Sequence, residues 1–264
     1  MKVRTVILFF VLTAVAAWVL AKRLHQFAYW IARKDHAEIA AMATGGWSVQ
    51  RLYVEPGVTL VGLVRPPRSA DAPWLLFAPG NSSALLDGFR QVLDGLVGDR
   101  DLGLAFFAWR GFEASDGVPS PAGLRLDLHA AWRWLRGRGV PAERIELWGY
   151  SLGATVAAQV AAELADTGER PRRLGLIAVG ERFTVMRTGL FGRFLPSHVY
   201  ELTSTLPQLP APIVIVHGSD DDALPIDGAR RLAQQLGGRA VLHELPGKGH
   251  ADLWPAAREV LLPR

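Results

Sequence analysis

Ile145-Glu146-Leu147-Trp148-Gly149-Tyr150-Ser151-Leu152-Gly153-Ala154-Thr155-Val156-Ala157-Ala158 is the stretch from which the rest of the chain can be read. Ile145–Trp148 reads as a short buried strand, and Leu152–Leu164 as an alanine-rich helix. Between them Gly149-Tyr150-Ser151-Leu152-Gly153 fits a Gly-x-Ser-x-Gly turn. A serine hydroxyl is a weak nucleophile and has to be presented sharply to a base and to a substrate. A tight strand-to-helix turn does this by holding the serine in a strained backbone conformation. The flanking glycines keep side chains clear of neighbouring strands. The free N–H groups at the start of the helix, beginning with that of Leu152, then stand beside any developing oxyanion. Five residues of this pattern also occur in ordinary turns, so the surroundings decide.

The surroundings alternate strand and helix. Upstream, Trp47–Tyr53 and Val58–Arg65 form a strand pair around the turn Glu55-Pro56-Gly57. Trp74–Ala78 is an apolar strand, Ser83–Leu96 a helix, Leu102–Trp109 a buried strand, and Pro121–Arg136 a helix with Ser120 as its N-cap. Downstream, Leu174–Val179, Ile213–Val216 and Ala240–His243 are strands, with helices near Pro225–Leu236 and Ala251–Leu261. Such alternation implies an α/β fold: a mainly parallel sheet of eight strands covered by helices on both faces, the early pair lying antiparallel at one edge. Residues 180–211 break the rhythm. A loop of this length within a compact domain is usually functional, and we read it as a small cap over the site.

A nucleophilic serine needs a base, and the base an orienting carboxylate, in the chain order Ser, Asp or Glu, His for this kind of turn. Four histidines follow Ser151. His250 lies in Gly247-Lys248-Gly249-His250, after the last strand and before the last helix, where a base reaches the top of the sheet. His243 falls within a strand and reads as structural. His217 ends the preceding strand and suits a hydrogen-bonding role in that turn, while His198 lies in the expected cap. The carboxylate comes from Asp220-Asp221-Asp222, just after Ile213–Val216. Three adjacent side chains cannot all point inward, so two are expected to be solvated.

At this point the chain resembles a known family. Val216-His217-Gly218-Ser219-Asp220-Asp221-Asp222-Ala223-Leu224-Pro225 is similar to the His-Gly-x-x-Asp-x-x-Val-Pro segment of α/β-hydrolases. Trp109-Arg110-Gly111-Phe112-Glu113-Ala114-Ser115-Asp116-Gly117 resembles their Tyr-Arg-Gly-x-Gly-x-Ser-x-Gly loop, and Pro79-Gly80-Asn81 their His-Gly-Asn turn. The resemblance covers about residues 47–262. It points to the membrane-anchored α/β-hydrolase-domain serine hydrolases, with their lysophospholipase-like and protein-depalmitoylase-like members. It implies Asp221 as the acid and the Asn81 N–H as a second oxyanion donor beside that of Leu152. Pro79 replaces the histidine of the turn and Glu113 a glycine of the loop, two departures that bear on substrate class.

The chain has 264 residues, half of them apolar, enough for one catalytic domain and an extension. It has no cysteine, which excludes disulfides, a thiolate nucleophile and zinc–cysteine sites. The pI of 9.7 accompanies a net charge of only +4, without a basic stripe interleaved with aromatics, so nucleic-acid binding is a poor reading. Thr5–Ala21 is an uncharged run of 17 residues, about 25 Å as a helix, flanked by Lys2, Arg4, Lys22 and Arg23. The helical pattern continues through Leu24, Phe27 and Ile31, with Tyr29 and Trp30 at headgroup level, and ends at Thr44-Gly45-Gly46. The competing reading is a signal peptide cleaved after Ala14-Val15-Ala16, and a buried core helix is a third. Length and the aromatic-basic continuation favour a single-pass membrane anchor through residues 5–21. Residues 1–46 would then be anchor and juxtamembrane helix, and residues 47–264 a catalytic domain expected to survive deletion of residues 1–43.

The chemistry expected is hydrolysis of a carboxylic ester or thioester through an acyl-enzyme, on a lipid-like or acylated substrate, with no metal or organic cofactor. An amidase with the same three residues is one rival, and a non-catalytic, membrane-tethered binding module is another.

Overall fold

The computed structural model describes Thr13, Tyr29, Ile31 and residues 33–81, 85–181, 202, 204–210 and 212–262. Among these, eight strands form one sheet: β1 (Ser48–Glu55), β2 (Val58–Arg65), β3 (Trp74–Ala78), β4 (Gly103–Phe107), β5 (Ile145–Tyr150), β6 (Arg173–Ile177), β7 (Ile213–Gly218) and β8 (Ala240–Leu245). Their order is β1-β2-β4-β3-β5-β6-β7-β8. β2 runs antiparallel to both β1 and β4, and every other pairing is parallel. Every residue of β3, β4 and β5 is buried, as a strand covered on both faces requires.

The covering helices are α2 (Leu85–Val97), α3 (Pro121–Arg136), α4 (Leu152–Asp166), α5 (Asp227–Leu236) and α6 (Trp254–Leu261), preceded by a short α1 (His36–Ala40). Ser120 caps α3 by accepting the Gly123 N–H at 3.1 Å, with Pro121 at the first helical position. The central α4 buries nearly its whole length, because alanine and glycine let it lie close against the sheet. A Cβ on Gly153 would sit 2.0 Å from the Ala78 carbonyl oxygen, and one on Gly149 would sit 2.2 Å from the Gly153 carbonyl oxygen. Helix and strands therefore approach closer than any other residue type would permit.

The N-terminal stretch behaves differently from its sequence pattern. A continuous helix up to Thr44 is expected, but residues 33–35 are not helical and a separate five-residue helix begins at His36. The reason is local. Asp35 is extended (φ −79°, ψ 167°) and accepts the Glu38 N–H, while Glu38 accepts the Asp35 N–H, a capping box that starts a new helix. The anchor expected at residues 5–21 lies, apart from Thr13, outside the described residues, as do the bulk of the cap expected at 180–211 and its His198. Among the described residues no helix is long and apolar enough to cross a membrane.

Tyr29, Ile39 and Met42 belong to the same buried cluster as the sheet. Tyr29 meets Phe112 edge-on at 6.3 Å, and the Arg33 guanidinium donates to the Ser115 carbonyl at 2.9 Å. Tyr29, Arg33, Ile39 and Met42 thus strap their segment onto the sheet domain, and packing continues across Gly46 to the buried Trp47. Each buried apolar side chain of this size contributes about 1.5–3 kcal/mol. A chain lacking residues 1–43 should therefore melt at least about 5 °C below one lacking only residues 1–28, measured by circular dichroism. Equal midpoints would show that the strap adds nothing to the domain.

Candidate active site

Ser151 is the turn between β5 and α4 and has φ 54° and ψ −119°. A non-glycine residue there costs on the order of 1–3 kcal/mol and persists only where its surroundings enforce it. The enforcing contacts are the Gly149–Gly153 crossing and a hydrogen bond from the Ser151 N–H to the Ile177 carbonyl at 2.9 Å. Leu152 is the first residue of α4, so its N–H is one of those without an intrahelical acceptor. Asn81 comes from the adjacent strand end: Ala78 of β3 pairs with Gly149 of β5, so the turn Pro79-Gly80-Asn81 leaves the sheet beside Tyr150 and Ser151. The Gly80 position abuts the Tyr150 ring so closely that a Cβ there would meet it at 2.8 Å.

The parallel strands bring three distant side chains together. Ser151 Oγ lies 3.0 Å from His250 Nε2, and His250 Nδ1 lies 2.7 Å from Asp221 Oδ2. A carboxylate only accepts, so Nδ1 of the neutral ring carries the proton and Nε2 is left to accept from the serine. Asp221 is buried, while Asp220 and Asp222 are exposed. Its Oδ1 accepts the Ala223 and Leu224 N–H groups at 3.0 and 2.7 Å, which turns this carboxylate inward and its neighbours out. Two loops are sewn together around it. The Asp220 N–H donates to the Lys248 carbonyl and the Ser219 N–H to the Leu245 carbonyl, and a Cβ on Gly218 would come within 2.1 Å of the Lys248 oxygen.

Two supporting residues complete the arrangement. His217 is fully buried, and its Nε2–H donates to the Leu224 carbonyl at 2.7 Å, with Asp221 Oδ2 3.3 Å away. This is the turn role its position suggests, extended to the carboxylate itself. Tyr150 donates its hydroxyl to the His250 carbonyl at 2.8 Å, and the two rings lie 5.2 Å apart. Burial, and after it the Asp221 charge, push the phenol well above its usual value, so it remains a donor. Sequence reasoning passed over Tyr150, because it occupies a variable position of the Gly-x-Ser-x-Gly pattern and its partner is 100 residues away. His243 lies on β8, paired with Val216, away from the serine's hydrogen bonds.

This sheet order and strand-turn-helix serine define the α/β-hydrolase fold, and comparisons with known proteins agree. The thioesterase-domain family matches residues 137–191, which take in β5, Ser151 and α4. An uncharacterized protein of Mycobacterium tuberculosis is 29% identical over 202 residues, 75% of this chain and 70% of that one. The lysophosphatidylserine lipase ABHD12 of Danio rerio is 23% identical over 199 residues, 65% of this chain and 52% of that protein, about half its length. Among solved structures, an α/β-hydrolase from Vibrio vulnificus superimposes with a TM-score of 0.70 at 21% identity, covering 87% of this chain and 88% of that one. A Pyrococcus furiosus esterase does so with 0.68 at 15% identity, covering 88% and 93%. At these identities the structural likeness is one of fold.

The Asp221 carboxyl carries a pH signature. Burial alone would raise its pKa, but hydrogen bonds from His217, His250 and the Leu224 N–H together hold it well below the usual carboxylate range. A pKa depressed by folding stabilises above the unfolded value, about 3.9, and that contribution is lost as pH falls toward the folded value. The melting midpoint of Asp221→Asn should accordingly trail the wild type at pH 7 and converge on it below about pH 4. A gap that stays constant with pH would contradict the ionised, multiply bonded carboxylate.

Proposed function

We propose that the protein is a serine hydrolase that cleaves carboxylic ester or thioester bonds of lipid-like or acylated substrates. The observation that carries this reading is the continuous hydrogen-bonded line Ser151 Oγ–His250–Asp221, with spacings of 3.0 and 2.7 Å. His250 Nε2 takes the serine proton as Oγ attacks the acyl carbonyl. Asp221 holds the ring's orientation and balances the imidazolium charge. The carbonyl oxygen, now negative, is received by the N–H groups of Leu152 and Asn81. His250 returns the proton to the leaving alcohol or thiol, and water, activated by the same ring, releases the acyl group from Ser151. This sequence uses no metal or organic cofactor.

The thioesterase-domain match and the lipase and esterase among the similar proteins support acyl substrates. The strap supports a lipid-like one. Its contacts fall on the loop that follows β4, and β4 runs in the same direction as β5, so the N-terminal segment meets the domain at the same end of the strands as Ser151. Anchored through residues 5–21, the enzyme would meet its substrate at the bilayer surface.

Fluorophosphonate labelling of the purified protein, followed by turnover on an ester and thioester panel, tests the chemistry. Ser151→Ala should abolish labelling and lower kcat by about a million-fold. Asp221→Asn should lower it about ten-thousand-fold, and Asp220→Asn and Asp222→Asn by less than about tenfold. Unchanged hydrolysis by Ser151→Ala would remove the reading. If Asp220→Asn or Asp222→Asn proved the crippling change, the carboxylate assignment would fail instead. Full-length protein should also stay in the membrane pellet after carbonate washing. Recovery in the supernatant, or a mature N-terminus near Ala17, would replace the anchor with a cleaved signal peptide.

A further inference from the structure

Glu113 stands where the resembling family has glycine, and the structure shows both why glycine suits the position and what the carboxylate does there. Its φ is 47°, in the left-handed region that disfavours a side chain, and it is 1% exposed. Strain and the burial of a charge therefore fall on one residue, a combination that endures only where strong partners hold it. Glu113 Oε2 and Oε1 accept the Leu86 N–H at 3.1 and 3.3 Å, and Lys34 of the strap places Nζ 3.5 Å from Oε1. Leu86 is the second residue of α2, where an N–H lacks an intrahelical acceptor. α2 starts at Leu85, four residues after Asn81. On the other side of Asn81, the Pro79 carbonyl accepts Trp109 Nε1–H at 3.0 Å. Trp109 and Glu113 belong to one loop, which thereby grips the segment bearing Asn81 at both ends.

We propose that Glu113 is a positioning residue for the oxyanion side of the site: by holding the first turn of α2 it fixes the turn that presents the Asn81 N–H. The proposal rests on the serine-hydrolase reading above. Without the carboxylate the Leu86 end of that grip is lost while the Trp109 bond to Pro79 remains, and a displacement of about an ångström at a reacting centre costs up to about a hundred-fold in rate. The loss belongs to the charged tetrahedral state and not to substrate binding, so it falls on kcat.

The test uses the full-length protein with Glu113→Gly, which relieves the backbone strain and removes the acceptor, and Glu113→Gln, which keeps an acceptor oxygen. Each is assayed for kcat, KM, melting midpoint and inhibition by an alkyl trifluoromethyl ketone. Ser151 Oγ adds to that ketone, its proton passing to His250 and the carbonyl π pair becoming the oxyanion, so affinity reports oxyanion stabilisation directly. Glu113→Gly should lower kcat and ketone affinity together by about 10- to 100-fold, with KM within about threefold and Glu113→Gln within about threefold of wild type throughout. Ketone affinity unmoved in Glu113→Gly, a loss confined to KM or to the melting midpoint, or equal impairment by Glu113→Gln would overturn the proposal while leaving the triad intact. Wild-type protein that neither labels with fluorophosphonate nor binds the ketone would overturn both readings together.

Discussion

Helix α4 crosses the ends of β3 and β5 at a distance only glycine allows, and the candidate site depends on that crossing. With Gly153 against the Ala78 carbonyl and Gly149 against Gly153, the chain between them has no room to relax. Ser151 is held at φ 54° as a consequence. The same crossing sets Leu152 at the first position of α4, so its unpaired N–H stands next to the serine hydroxyl. It also brings the Pro79-Gly80-Asn81 turn alongside, since β3 and β5 are neighbours in register. The proposed nucleophile and both proposed oxyanion donors are therefore consequences of one packing contact.

The opposite half of the site is electrostatic. Asp221 sits out of water with four donors on its two oxygens, two backbone N–H groups and two imidazoles. A buried carboxylate is tolerable only with such compensation. That compensation in turn determines which nitrogen of His250 is left for Ser151. His250 is steadied from a second direction, because Tyr150, the residue before Ser151, donates to its carbonyl. The serine turn and the histidine loop thus hold each other directly.

The loop after β4 joins the N-terminal strap to this machinery. Phe112, Glu113 and Ser115 each meet a strap residue, and Ser115 Oγ also bonds the Val61 N–H and the Ala108 carbonyl. Arg110 is pinned between buried Asp127 and Glu55, which ties the base of the loop to α3 and to the end of β1. The loop is thus a junction of the strap, β1, β2 and α3.

The order of strands and helices, the serine turn and its glycines were legible in the sequence because each is a short-range pattern. Buried strands are continuous apolar runs, helices carry their own caps, and a strained serine turn has glycine on either side. His250 could be reached by the same reasoning, from its place between the last strand and the last helix. The rest was decided by contacts between residues far apart in the chain. Among Asp220, Asp221 and Asp222 the composition is identical, and only the Ala223 and Leu224 N–H groups turn the middle one inward; the family resemblance, not the local pattern, had singled it out. Tyr150 and Glu113 have no local signal at all, since their partners lie at His250, Leu86 and Lys34. The expectation of one helix running up to Thr44 failed for the opposite reason. Apolar periodicity reports a face to be buried without saying against what, and tertiary packing laid Tyr29, Ile39 and Met42 on the sheet domain.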